Sequence, residues 1–425
     1  MRRSLTSIAA ALAALVMIAM HLADGHAETL LTIDQLVAMA IQANPQVKSA
    51  RYRLQSAEHS IKQTVAPNDP IFNYTNSDSV KNPVGRAALR QFNVTEAFQF
   101  PGKAFLQRDQ AVRNADIARL TLDATIRDIR AAVLTGYYQL VLDSSAATVN
   151  ADNLRSLDQV LKVTQIAYSA SQVSQTDVIS AEFDLAAARQ QQRQYEVAIE
   201  NDTTTLNQLL YRRPAEPLAV DRTLKLEVMN LPLDSLIDRA YAARQEILEA
   251  ALTELNSNTA LSLAKMEYLP DFTVGVTYDQ YLIPNFAPTP TQTNDWVGII
   301  GFNVPIFFWL HQREDVTRAR MDLAAARSDL ESIRNQTAAS ITTLYRNMQL
   351  AYETALLYRD SLTPLAHQNF LVALVAYQSG KIDFVTLSGT LQRSYAARIN
   401  YLQAANQFLA GEVALEQAIG TPLTQ

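Results

Sequence analysis

The sequence predicts a mainly α-helical chain with a small membrane β part, built as two tandem repeats that each give two strands and a long helical hairpin. Three observations predict it. Apolar residues recur every seven positions over runs longer than an ordinary globular helix, the period changes to two after one proline in each half, and a hexapeptide returns at an offset of 200 residues.

In chain order, Arg2 and Arg3 precede an apolar run from Ile8 to Met20, and Gly25-His26-Ala27 supplies small residues for a signal peptidase. Residues 1–27 therefore read as a cleaved secretory signal, because the run falls short of the ~20 residues that span a bilayer. The chain contains no cysteine, so export brings no disulfide, no thiolate metal site and no cysteine for lipid attachment.

Leu31-Thr32-Ile33-Asp34-Gln35-Leu36 returns as Leu231-Pro232-Leu233-Asp234-Ser235-Leu236, with Ala40 matched by Ala240. The first repeat is thus residues 28–230 and the second 231–425. Asn44-Pro45 places an N-cap and a first-turn proline at the start of a helix toward Thr64, and Pro67 and Pro270 stop the two opening helices.

Beyond those prolines lie strands at about 70–78 and 88–98, and at about 271–282 and 295–305. Phe272, Val274, Val276 and Tyr278 alternate with Thr273, Gly275, Thr277 and Asp279, while Trp296, Ile300, Phe302 and Val304 line one side of the next run. The expectation is an apolar lipid face and a polar face, with Thr273, Thr277 and Asp279 lining a barrel. Phe92-Asn93-Val94 echoes Phe302-Asn303-Val304 and is read as fixing the register between repeats. Pro284 to Asn294 reads as a loop. Four strands cannot close a barrel, and an open edge is prohibitive in lipid, so three chains sharing twelve strands are expected. Phe98, Phe100, Phe307, Phe308 and Trp309 fit an interfacial girdle.

Helical hairpins follow at about 103–210 and 312–420, separated by a connector at 211–230 containing Pro214 and Pro217. Steps of seven run from Ile126 through Val133, Leu140, Ala147, Leu154 and Leu161 to Tyr168, and from Val316 through Leu323, Leu330, Thr337, Leu344, Ala351 and Tyr358 to Leu365. Gly136 and Pro364 are the interior breakers, with a kink expected at Pro364.

Other function classes find little support. A net charge of −6 with interspersed signs gives no basic stripe for nucleic acid. Beyond the signal, His59, His311 and His367 are far apart in sequence, so no metal site or cofactor is expected. No glycine-rich phosphate loop or nucleophile elbow is present, and no enzymatic activity is expected.

With these elements and the tip Ala376-Tyr377-Gln378-Ser379-Gly380-Lys381-Ile382-Asp383, almost all of residues 30–421 resembles the TolC-type outer-membrane factor family. The resemblance implies a homotrimer in the outer membrane of a Gram-negative bacterium, with a twelve-stranded barrel continued by a periplasmic helical barrel. It would be a passive exit duct for a periplasmic adaptor and an inner-membrane pump of RND type. Phe98-Gln99-Phe100-Pro101-Gly102-Lys103 is similar to the Phe-Pro-Gly-Lys junction of the branch serving heavy-metal pumps, which implies copper, silver, or cobalt, zinc and cadmium as cargo. Multidrug efflux or type I secretion by the same fold is the alternative, and a soluble periplasmic coiled-coil scaffold is a second. The resemblance places Asp177, Asp383, Tyr168 and Tyr377 at a pore aperture, although Thr386 and Gly389 stand where some members carry aspartates. Asp177 also reads as an acid capping its helix, and the tyrosines as seam packing. Ser171, Gly380 and Lys381 mark hairpin tips that would dock the adaptor.

Overall fold

A computed structural model describes residues 30–82, 85–221, 226, 232–282 and 294–423. The signal at 1–27, most of the loop at Pro284 to Asn294 and part of the connector lie outside the described residues.

Among the described residues the chain is mostly helical with a single sheet. Helices α1 (Ile33–Ala43) and α2 (Pro45–Thr64) precede strands β1 (Ile71–Asn82) and β2 (Gly85–Phe98), then the hairpin α3 (Lys103–Ser169) and α4 (Gln175–Leu209). Helices α5 (Leu233–Ala243) and α6 (Gln245–Met266) precede β3 (Phe272–Leu282) and β4 (Asn294–Phe302). The chain then continues through α7 (Gln312–Leu357), a π turn (Tyr358–Leu362), α8 (Thr363–Gln378) and α9 (Phe384–Ile419). Helix α3 has 67 residues, a rise of ~100 Å. Among the described residues no helix is long and apolar enough to cross a membrane.

Contacts group these elements into two units. The hairpin unit holds α1, α4, α8, most of α9 and the later parts of α3 and α7. The sheet unit holds α2, the four strands, α5, α6 and the first parts of α3 and α7.

Buried residues along α7 fall at Ala319, Leu323, Ala326, Leu330, Thr337, Ile341, Met348, Ala351 and Ala355, alternating steps of three and four for most of the run. Such a stripe is what a supercoiled seam requires. It fails at Leu365, expected on the seam but 61% exposed. The reason is the π turn, where Thr363 N–H donates to the Tyr358 carbonyl. That turn holds one extra residue and rotates α8 about its axis, so the seam resumes at Phe370, Ala373, Leu374 and Tyr377. Pro364 lacks an N–H, and the wider turn ahead of it lets the helix continue.

Gly136 does not interrupt α3. A Cβ there would lie 3.1 Å from Leu206 Cδ2, so the glycine admits close packing of α4.

In the hairpin unit, Leu157 and Val160 of α3, Leu185 of α4, Phe370 and Leu374 of α8, and Phe384, Leu387 and Leu391 of α9 share one core.

Candidate functional site: the two-faced sheet and the hairpin tips

The sheet order is β1-β2-β3-β4, all antiparallel. Directly paired residues share a face, so the register sorts side chains into rows. One face carries, from the loop end toward the helices, Asn76–Arg90–Gln280–Asn294, then Tyr74–Phe92–Tyr278–Trp296, then Phe72–Val94–Val276–Gly298. The next rows are Glu96–Val274–Ile300 and Phe98–Phe272–Phe302. Ring centroids in the upper aromatic row lie 5.1, 6.3 and 4.8 Å apart. Six residues, ~20 Å, separate the two aromatic rows along a strand.

On the central strands the opposite face is polar. Gln91 Nε2 donates to Asp279 Oδ1 at 2.9 Å and Asn93 Nδ2 to Thr277 Oγ1 at 2.8 Å. Thr277 and Asp279 are 4% and 9% exposed, against 49% for Val274 and 41% for Val276. Thr273 shares their face.

The register differs from the expected echo. Phe92 pairs with Tyr278, whereas Phe302 pairs with Phe272, in the row of Phe98. The Phe-Asn-Val tripeptides therefore occupy different levels. Pairing is set by backbone register, which a three-residue match does not encode.

At the sheet's helical end, Lys103 is a buried cation, its side chain 3% exposed, with Nζ 2.9 Å from Asp271 Oδ1 and 3.3 Å from Glu267 Oε2. Asp271 Oδ1 also accepts the Phe100 N–H at 2.7 Å, while the Asp271 N–H donates to Asn303 Oδ1. Gly102 adopts φ +107, and a Cβ there would meet Met266 Cε at 2.9 Å. Phe-Pro-Gly-Lys thus joins the β2–α3, α6–β3 and post-β4 junctions. Sequence showed the motif, but its buried ion pairs had no sequence signal because the partners lie in the other half of the chain.

The two hairpin tips turn alike. Ser171 and Gly380 take φ +64 and +68. Ser171 N–H donates to the Tyr168 carbonyl and Gly380 N–H to the Tyr377 carbonyl. In the first tip Ser174 and Asp177 form a capping box: the Asp177 N–H donates to Ser174 Oγ at 3.3 Å and the Ser174 N–H to Asp177 Oδ2 at 3.2 Å. Asp177 is half-buried at the third position of α4. In the second tip Asp383 Oδ1 accepts the Thr386 N–H at 2.8 Å, and hydrogen bonding from the Thr386 side chain, then from its N–H, holds the Asp383 carboxyl below the usual carboxylate range. Asp383 and Lys381 are exposed.

The two tyrosines have different surroundings. Tyr168 is 46% exposed, but Tyr377 is 5% exposed, lies at a ring-centroid distance of 6.5 Å from Phe384, and has its hydroxyl 3.3 Å from Thr164 Oγ1.

No group of three or more His, Asp and Glu able to hold a metal occurs among the described residues.

A sheet with one banded aromatic face and one polar face, followed by paired long helical hairpins, defines the class: the TolC-type outer-membrane channel fold. The profile of the outer membrane efflux protein family matches residues 36–210 and 236–421, and the chain belongs to that family. It is 19% identical over 392 residues to the cobalt-zinc-cadmium resistance protein CzcC of Cupriavidus metallidurans, covering 92% of this chain and 90% of that protein. Among solved structures, the outer-membrane channel OprN matches with TM-score 0.78 at 18% identity, over 91% of this chain and 89% of that chain. CusC matches with TM-score 0.78 at 15% identity, over 92% of each chain. VceC of Vibrio cholerae matches with TM-score 0.76 at 15% identity, over 92% of this chain and 96% of that chain.

Proposed function

We propose that three copies of this chain form the outer-membrane exit duct of a tripartite efflux system, passively conducting heavy-metal cations delivered by a periplasmic adaptor and an inner-membrane pump of RND type. The observation that carries this reading is the banded face of the sheet. Aromatic rows bound a band containing Phe72, Val94, Val274, Val276 and Ile300, with Glu96 as a charged side chain within it, as interfacial rings bound lipid-facing residues. On this reading Thr273, Thr277 and Asp279 line the barrel, and pairing β1 with β4 of a neighbouring copy leaves no open edge.

Similarity to CzcC and the Phe98–Lys103 motif favour metal cations as cargo. The exposed tips at Ser171, Gly380 and Lys381 are assigned to adaptor docking. Tyr168, Asp177 and Asp383 are assigned to the aperture, and Tyr377, buried in the hairpin core, is left out of that assignment.

The test begins with fractionation: a heat-resistant trimer in the outer membrane is expected, and a soluble periplasmic monomer would overturn the duct. A strain deleted for the gene should then accumulate cadmium, zinc, cobalt, copper or silver when challenged. Unchanged metal content with increased retention of an organic drug would move the cargo to multidrug efflux.

A further inference from the structure

The row beyond the upper aromatic row carries a positive charge that the exit duct does not use. Arg90 pairs with Asn76 on one side and Gln280 on the other, and Gln280 with Asn294, so one guanidinium and three amides stand on the aromatic face at the loop end. Arg90 is exposed on this face. Two residues below it, ~7 Å along the strand, lies the row Tyr74–Phe92–Tyr278–Trp296.

We infer that this row binds the phosphate of an anionic lipid headgroup in the leaflet nearest the loops. The proposal rests on the reading that the aromatic face meets lipid. Aromatic rings of membrane barrels sit at headgroup depth, so a side chain one row farther out meets the headgroups themselves. A planar guanidinium presents paired N–H donors that match phosphate oxygens, and the flanking amides add neutral donors. The acid on this face, Glu96, lies away from the loop end, in the row of Val274 and Ile300 between the two aromatic rows. Anionic headgroups are therefore favoured at the loop end, where Arg90 stands.

The full chain, its Arg90→Gln, Arg90→Lys and Glu96→Gln variants are reconstituted into phosphatidylethanolamine vesicles with and without the bis-phosphorylated glycolipid lipid A. Lipid retained on the extracted protein is then counted by native mass spectrometry. Wild type should retain lipid A over phosphatidylethanolamine about fivefold better than Arg90→Gln, the effect of one cation near an anionic surface. Arg90→Lys should keep part of that preference, Glu96→Gln all of it, and added salt should reduce it. Equal preference in wild type and Arg90→Gln overturns the headgroup site while leaving insertion intact. Displacement of lipid A by inorganic phosphate at matched ionic strength also overturns it, because the row would then hold free phosphate. Failure of every variant to float with vesicles overturns the lipid-facing reading and this site with it.

Discussion

At the scale of single residues, chemistry close in sequence was legible and chemistry between halves was not. Asp177 reads as an acid capping its helix, and it does close a cap, although as the third residue of α4 reaching back to Ser174. Seam packing is the expectation for both tyrosines and holds for Tyr377 alone; the difference was not legible, because two tyrosines ahead of similar turns differ only in what packs on them. Ser171 bears a left-handed conformation that costs an L-residue about 1 kcal/mol, which glycine escapes. Ser171→Gly should therefore stabilise the first hairpin by up to about 1 kcal/mol, and Gly380→Ala should destabilise the second by a similar amount, although no atom lies within 4 Å of the missing Cβ. Thermal unfolding of the purified protein checks both, and a destabilising Ser171→Gly or a stabilising Gly380→Ala would contradict the turn assignment. Lys103 poses a larger test. Lys103→Ala leaves Asp271 and Glu267 without their cation in a half-buried junction, and should cost about 3 kcal/mol in denaturant unfolding. A cost below about 1 kcal/mol would mean that water replaces the ammonium there.

At the scale of elements, period and prolines predicted the helices and strands, and strand length with alternation predicted the two faces. The π turn was invisible because it inserts one residue of phase without changing composition, and the register was invisible because pairing is a long-range choice. The faces give a direct prediction: Val274→Arg should impair membrane assembly by about 2–4 kcal/mol, since Val274 lies between the aromatic rows. Arginine at Thr273, on the polar face, should cost less, and equal losses on urea titration of vesicle insertion would contradict the assigned faces. Helix contacts also titrate. Burial works to raise the Glu246 carboxyl, but Arg127, whose Nη2 lies 2.6 Å from Glu246 Oε1, outweighs it and holds the group at about 2. A depressed folded pKa adds stability above the unfolded value near ~4.3 that is lost as pH falls toward 2. Asp202 behaves oppositely: burial, then its hydrogen bond with Asp143, pushes it up to about 7. The native state keeps that proton more tightly, so the contribution falls as pH rises from ~4 to 7. Unfolding temperatures from acid to alkaline pH should show Glu246→Gln flattening the acid limb and Asp202→Asn raising stability above pH 7. A variant whose profile parallels wild type would remove its residue from the titration.

At the scale of the whole molecule, the proposed trimer turns each residue at the aperture into a ring, and one substitution into three. Three Asp177 carboxylates around a narrow mouth would repel one another and concentrate cations on the axis, with Asp383 adding a more exposed ring. The same Asp177 accepts the Ser174 N–H, so its carboxylate has a local duty that must be separated from the shared one. Asparagine separates them: its amide oxygen still accepts that bond, while the charge is gone. In planar bilayers Asp177→Asn should lower the preference for cations over anions, with the larger effect at low salt where screening is weak. Trimer unfolding temperature should stay within the small change expected of a retained cap. The effect should be modest, because Thr386 occupies the position in the second hairpin where a further acid would double the ring. Thr386→Asp should accordingly raise cation preference in the wild type and partly restore it in Asp177→Asn. Selectivity unchanged in both variants at low salt would leave Asp177 as a helix cap and move the narrowest point of the duct away from this tip.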